Sequence, residues 1–79
     1  MIVLLFARAR DLIGADRIEV ATPEPSTVGD LRRRLVCQFP HLAGLIEKSA
    51  FAINDEFASD TTPIPAAAEV ALLPPVSGG

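Results

Sequence analysis

Val28, Leu31, Leu35 and Phe39 fall within a narrow arc at 100° per residue, so the segment holding them predicts an amphipathic helix with one apolar stripe. Both ends of that segment are marked. Thr27-Val28-Gly29-Asp30 reads as a capping box, in which the Thr27 hydroxyl satisfies a free first-turn amide and Asp30 reaches back toward the cap. Pro40 stops the helix. A stripe of this kind needs a sheet to lie on, and the flanking sequence supplies strands. Ile2 to Ala7 is an apolar, strand-length run ending at Arg8, and Arg17-Ile18-Glu19-Val20-Ala21 alternates with the period of a half-buried strand. Between them, Arg10 to Gly14 has the length of one helical turn closed by glycine. Thr22-Pro23-Glu24-Pro25-Ser26 then breaks the pattern.

Beyond Pro40, His41 to Glu47 reads as a short second helix and Ala50 to Asn54 as a third strand. Asn54-Asp55-Glu56 is a turn, Phe57 to Asp60 a brief strand, and Glu69 to Leu73 the last strand, ended by Pro74 because proline donates no ladder hydrogen bond. One main helix on one face of a mixed sheet of four to five strands is a two-layer α+β solution. The crossover through the helix allows the first and last strands to pair in parallel, which is the order of a β-grasp, or ubiquitin-like, fold. Seventy-nine residues make one domain, expected over residues 1–73, with residues 74–79 as an extended flexible tail.

Composition removes most functional classes. A net charge of -3 argues against nucleic acid as a partner, since phosphate binding needs surplus Lys and Arg on one face. The triplet Arg32-Arg33-Arg34 is the only basic cluster and reads as a solvated helix face. The apolar run at the start is far short of a membrane span and lacks the basic start of a signal peptide, so no membrane partner and a cytoplasmic location are expected. Cys37 is the single cysteine and His41 the single histidine, too few for a metal site, and no resident cofactor is expected. These two residues are four apart, but Pro40 breaks the geometry that would pair them, and Cys37 reads as a surface thiol near Arg33 and Arg34. Asp11, Asp16, Asp55, Glu56 and Asp60 fall in loops, where bonds to backbone account for them without acid-base work. No self-contained enzyme is visible.

Two features are left over. The first and last strands are apolar at consecutive positions, yet only one side can meet the helix. A stripe from Ile2, Leu4, Phe6, Ala71 and Leu73 is then an exposed docking patch, the competing account being burial of both sheet faces by loops. The other feature is Pro74-Pro75-Val76-Ser77-Gly78-Gly79. The prolines force an extended course away from the sheet, Pro75 to Gly79 can reach about 17 Å, and two glycines are slim enough for a narrow channel. The functional group there is the terminal carboxylate, a poor electrophile until a partner activates it, most simply as an acyl-adenylate made from ATP. Ordering the tail costs about 1–2 kcal/mol per residue, whereas burying Val76 returns roughly 1.5–3 kcal/mol. A second contact is required, and the apolar face is available for it.

The chain resembles the small, sulfur-carrier subunits of molybdopterin synthase over nearly its whole length. The likeness lies in Leu4-Leu5-Phe6-Ala7, Arg10-Asp11-Leu12, Thr27 to Leu31, Ile53-Asn54 and, most specifically, Glu69 through Gly79 with its Pro-Pro-Val-Ser before the glycines. It implies that Gly79 is adenylated by an enzyme like the ubiquitin-activating family, which consumes ATP, and is converted to a thiocarboxylate. The sulfur then goes to a cyclic pyranopterin phosphate in a pocket of the large synthase subunit, in a complex that the family builds as a dimer of heterodimers. By the same likeness Phe6, Arg10 and Leu73 lie on the surface used by both partners, Pro74 to Ser77 thread the partner's channel, and Gly78 and Gly79 enter its active end. The family usually has Gly-Asp where this chain has Ala67-Ala68, which leaves the local turn open. Three other readings compete: a ubiquitin-like modifier conjugated through Gly79, a sulfur carrier for thiamine or another pathway, and a plain interaction module.

Overall fold

A computed structural model describes residues 1–21 and 25–75. The elements in chain order are β1 (Ile2–Leu5), α1 (Ala7–Ile13), β2 (Arg17–Glu19), α2 (Val28–Gln38), a 3-10 turn (Pro40–Leu42), α3 (Ala43–Lys48), β3 (Ala50–Ile53), β4 (Glu56–Ala58) and β5 (Val70–Leu73). The strands form one mixed five-stranded sheet in the order β2-β1-β5-β3-β4. β1 pairs parallel with β5, with Val3 beside Val70 and Leu5 beside Leu72, and all other pairings are antiparallel. This is the β-grasp order expected from the crossover.

The core forms where the α2 stripe meets alternate strand residues. Val28, Leu31 and Leu35 are buried with Val3 and Leu5 of β1, Val70 and Leu72 of β5, Phe51 and Ile53 of β3, and Ile46 of α3. Phe39 is half-buried against this cluster and sets its ring edge toward His41 at a centroid separation of 6.4 Å. The cap of α2 forms as the sequence predicts: the Asp30 amide donates to the Thr27 hydroxyl at 3.2 Å. Desolvation would raise the Asp30 carboxyl, but hydrogen bonds with Thr27 and the Arg33 charge outweigh it and hold the group below its usual range. Asp30 therefore supports this cap at neutral pH, and its contribution fades as acid protonates it below the ordinary carboxylate range.

Several boundaries differ from expectation. The first strand ends at Leu5, not Ala7, because Phe6 is the N-cap of α1 and Ala7 takes a left-handed φ of 51° that turns the chain into the helix. The single turn expected at Arg10 to Gly14 is a seven-residue helix, closed by Gly14 at φ 82° with its amide on the Arg10 carbonyl at 2.9 Å. The brief fourth strand starts at Glu56, since Asn54 (φ 50°) and Asp55 (φ 69°) alone make the hairpin turn. Asn54 also ties this turn to the last strand: its amide donates to the Glu69 carbonyl at 2.8 Å, and its side-chain oxygen accepts from the Glu69 amide at 3.0 Å.

Ala67 resolves the open turn. It sits at φ 62°, so the positive-φ geometry is kept without glycine. A left-handed alanine costs about 1 kcal/mol, so Ala67→Gly is expected to raise stability by roughly that amount, or about 4–8 °C in Tm, less the added entropy of the unfolded chain. Thermal denaturation checks this, and a lowered Tm would contradict the strain.

The arginine triplet is only in part a solvated face: Arg33 is exposed, whereas Arg32 and Arg34 are half-buried and bonded into the fold. Arg32 Nη1 donates to the Ile46, Glu47 and Ser49 carbonyls at 2.7, 3.2 and 2.7 Å, and Nη2 meets Asp60 Oδ1 at 2.8 Å. Its guanidinium also lies 5.0 Å from the centre of the Phe51 ring. Arg34 Nη1 donates to the Ala21 carbonyl at 2.8 Å, and Arg33 pairs with Asp30. Arg32 thus closes the end of α3, adding a charged donor to its last carbonyls, while Arg33 stays on the helix surface.

Candidate functional site

With α2 on one side of the sheet, strand parity assigns Ile2, Leu4, Ala71 and Leu73 to the other. Ile2 is 45% exposed and Phe6, which continues the parity of β1, is 44% exposed, while Leu4, Ala71 and Leu73 are half-buried. The second face is therefore not fully buried by loops, although the 65–69 loop borders it beside Met1, Ile2 and Leu4. Sequence reading missed Phe57. Its register opposite Ala52 puts it on this same face, 78% exposed, and alternation counted from the Asn54-Asp55 turn is the signal that could have found it. Arg17 opposite Leu4 and Glu19 opposite Ile2 give the patch a charged rim along β2.

The parallel register brings the predicted docking residues to one end. Leu5 lies beside Leu72, so the next step places Phe6 beside Leu73, at the point where the chain leaves β5. The Arg10 amide reaches the Phe6 carbonyl at 3.4 Å, which sets Arg10 one turn further along α1, exposed, with Nε 3.8 Å from Asp11. Phe6 and Leu73 thus follow the last paired residues of β1 and β5 at the end of the sheet where the tail starts, and Arg10 lies one helical turn after Phe6. Pro74 is half-buried, Pro75 is exposed, and Val76, Ser77, Gly78 and Gly79 lie outside the described residues.

Other chemistry does not converge. Cys37 is exposed and lines a shallow depression with Arg32, Arg33, Val36 and Glu47, away from the ring contact of His41. Asp60 is engaged by Arg32, and Asp16 pairs at 3.5 Å with the neighbouring Arg17 on the surface. Among the described residues no cluster of three or more His, Cys, Asp or Glu could hold a metal ion, and no helix is long and apolar enough to cross a membrane. The arrangement offers a wide apolar face continuous with the start of a tail, which suits docking against a partner.

Known proteins resemble this chain along nearly its whole length. A family model described as the ThiS family matches residues 3–79. The molybdopterin synthase sulfur carrier subunit of Escherichia coli K12 is 40% identical over 79 residues, covering 98% of this chain and 96% of that protein. The subunit of the same name from Arabidopsis thaliana is 38% identical over 77 residues, covering 98% and 80%. Among solved structures, the small archaeal modifier protein 1 of H. volcanii has a TM-score of 0.78 at 30% identity, covering 96% of this chain and 97% of that one.

Proposed function

The chain belongs to the ThiS family, and on that premise we propose that it is a sulfur carrier, bearing a thiocarboxylate on Gly79 and donating the sulfur to a cyclic pyranopterin phosphate. An adenylating enzyme joins AMP to the Gly79 carboxylate, whose oxygen attacks the α-phosphorus of ATP as pyrophosphate leaves. Sulfide then displaces AMP, leaving a thiocarboxylate; inside the large subunit of molybdopterin synthase its sulfur bonds to a side-chain carbon of the pterin as the oxygen on that carbon leaves, and water cleaves the resulting thioester to return the Gly79 carboxylate. The chain contributes the acyl group and its delivery; acid, base and pocket come from its partners, so it is not an enzyme on its own. No bound cofactor is needed for this role.

The observation that carries the reading is the β1–β5 register, in which Leu5 pairs with Leu72 one step before Phe6 and Leu73, at the end of a half-exposed apolar face where Pro74 starts the tail. Docking through that face supplies the binding energy that the tail lacks, and the two prolines reduce the ordering cost. Phe6→Asp tests this with little risk to folding, because Phe6 is a helix N-cap and Asp is a favoured residue there. The variant is expected to keep its Tm while losing at least about 2 kcal/mol of affinity for the large subunit, roughly 30-fold in Kd. Unchanged affinity in calorimetric titration would remove the docking face from the account.

The likeness to small archaeal modifier protein 1 favours a second reading, in which Gly79 is conjugated to lysines of other proteins. Mass spectrometry of the chain isolated from its host separates the two: one oxygen replaced by sulfur marks the carrier, and covalent ladders mark the modifier.

A further inference from the structure

Lys48 is the chain's only lysine, beside six arginines. Guanidinium groups stay charged and do not accept acyl groups, so Lys48 is the one side-chain amine able to form an amide with an activated carboxyl. It is exposed, in the last turn of α3, two residues before Ala50. Ala50 lies opposite Leu73, the last residue of β5, so Lys48 sits at the end of the sheet where the tail begins. Two residues and one strand spacing separate their backbones, at most about 12 Å, while a segment of six residues, the length of 74–79, has a maximum reach of about 20 Å.

The competing nucleophiles are placed less well. The N-terminal ammonium donates to the Val20 carbonyl at 3.1 Å, and because β1 runs parallel to β5 it lies at the opposite end of the sheet. The Ser49 hydroxyl, next to Lys48, is buried and donates to the Leu45 carbonyl at 2.7 Å.

We infer that Lys48 is the self-acylation site of this chain, closing an intramolecular Gly79–Lys48 amide whenever the C-terminus is activated and sulfur is not delivered. This rests on the reading of Gly79 as an activated carboxylate. The neutral Lys48 Nζ attacks the Gly79 carbonyl carbon of the acyl-adenylate. A C–N bond forms, the C–O bond to phosphate breaks, AMP leaves with the electron pair, and the amine proton passes to water. Sulfur transfer and Lys48 capture are then rival fates of one intermediate.

Two arms test this on the full chain. In the first, the chain carries a C-terminal thioester at Gly79, which needs no activating enzyme. The expected product is a monomer lighter than the free acid by one water, with a Gly79–Lys48 branch in peptide mapping and a fraction independent of protein concentration. Lys48→Arg is expected to cut that product about tenfold or more, since a tethered amine acts at an effective concentration near the millimolar range. A product absent, unchanged in Lys48→Arg, joined to Met1 or Cys37, or found mainly as a concentration-dependent dimer would overturn the inference. In the second arm, the adenylating enzyme and ATP act on the unmodified chain without a sulfur source. AMP release with the same branch is expected; no AMP release would count against the proposed function, whatever the first arm shows.

Discussion

Deleting Gly79 is expected to reduce sulfur transfer to background while leaving thermal unfolding unchanged. The deletion moves the terminal carboxylate back by about 3.3–3.6 Å, one extended residue. Reacting atoms must approach to about 3–3.5 Å in line, and a displacement near 1 Å already costs about 100-fold, so compensation by tail stretching is not expected. The folded domain loses nothing, because its core is drawn from residues between Val3 and Leu72. A truncated chain that still forms molybdopterin would assign the chemistry to another group. A truncated chain that melts earlier would mean the tail has a structural role.

A stability loss as large as that of a core truncation is expected at the polar residue Arg32. Its side chain is only 17% exposed and joins three elements: α2, which carries it, the end of α3 through three carbonyls, and the 59–62 loop through Asp60. Arg32→Ala takes the charged donor from the half-buried Ile46 and Ser49 carbonyls and leaves Asp60 without its cation, a loss of about 2–4 kcal/mol, since bonds to charged groups exceed neutral ones and the side chain's packing on Phe51 is lost with them. In a domain of this size that lowers Tm by roughly 10–25 °C. Arg32→Lys keeps the charge but not the fork, and is expected to recover less than half of the loss. Arg33→Ala, which breaks an exposed pair, should cost no more than about 0.5 kcal/mol. Equal melting of the Arg32 and Arg33 variants would contradict the distinction between the two neighbours.

That contrast also marks what local sequence can convey. The α2 stripe, the Thr27 cap, the Pro40 stop and, but for Glu56, the Asn54-Asp55-Glu56 turn were legible because each is decided by residues within about one helical turn or one hairpin of each other. Arg32 was misread as part of a solvated triplet because its partner Asp60 lies 28 residues away, and periodicity carries no information at that range. Phe6 was placed on a strand that runs to Ala7, whereas the backbone turns there at a left-handed alanine that propensity disfavours. For the candidate site, composition pointed to an apolar face and parity to Phe6 and Leu73, but their meeting at one end depends on the parallel β1–β5 register. Phe57 escaped notice because an apolar residue in a short edge strand ordinarily suggests the core, and only pairing with Ala52 shows which face it takes.

Sulfur delivery through this chain's own C-terminus is the step on which the proposed function depends. The most direct test mixes thiocarboxylated chain with the large subunit of molybdopterin synthase and a cyclic pyranopterin phosphate, without any other sulfur source, and follows pterin product and chain mass together. Molybdopterin is expected to appear in step with conversion of the Gly79 thiocarboxylate to carboxylate. A thiocarboxylate that persists with no molybdopterin formed, although the two subunits bind, would contradict it.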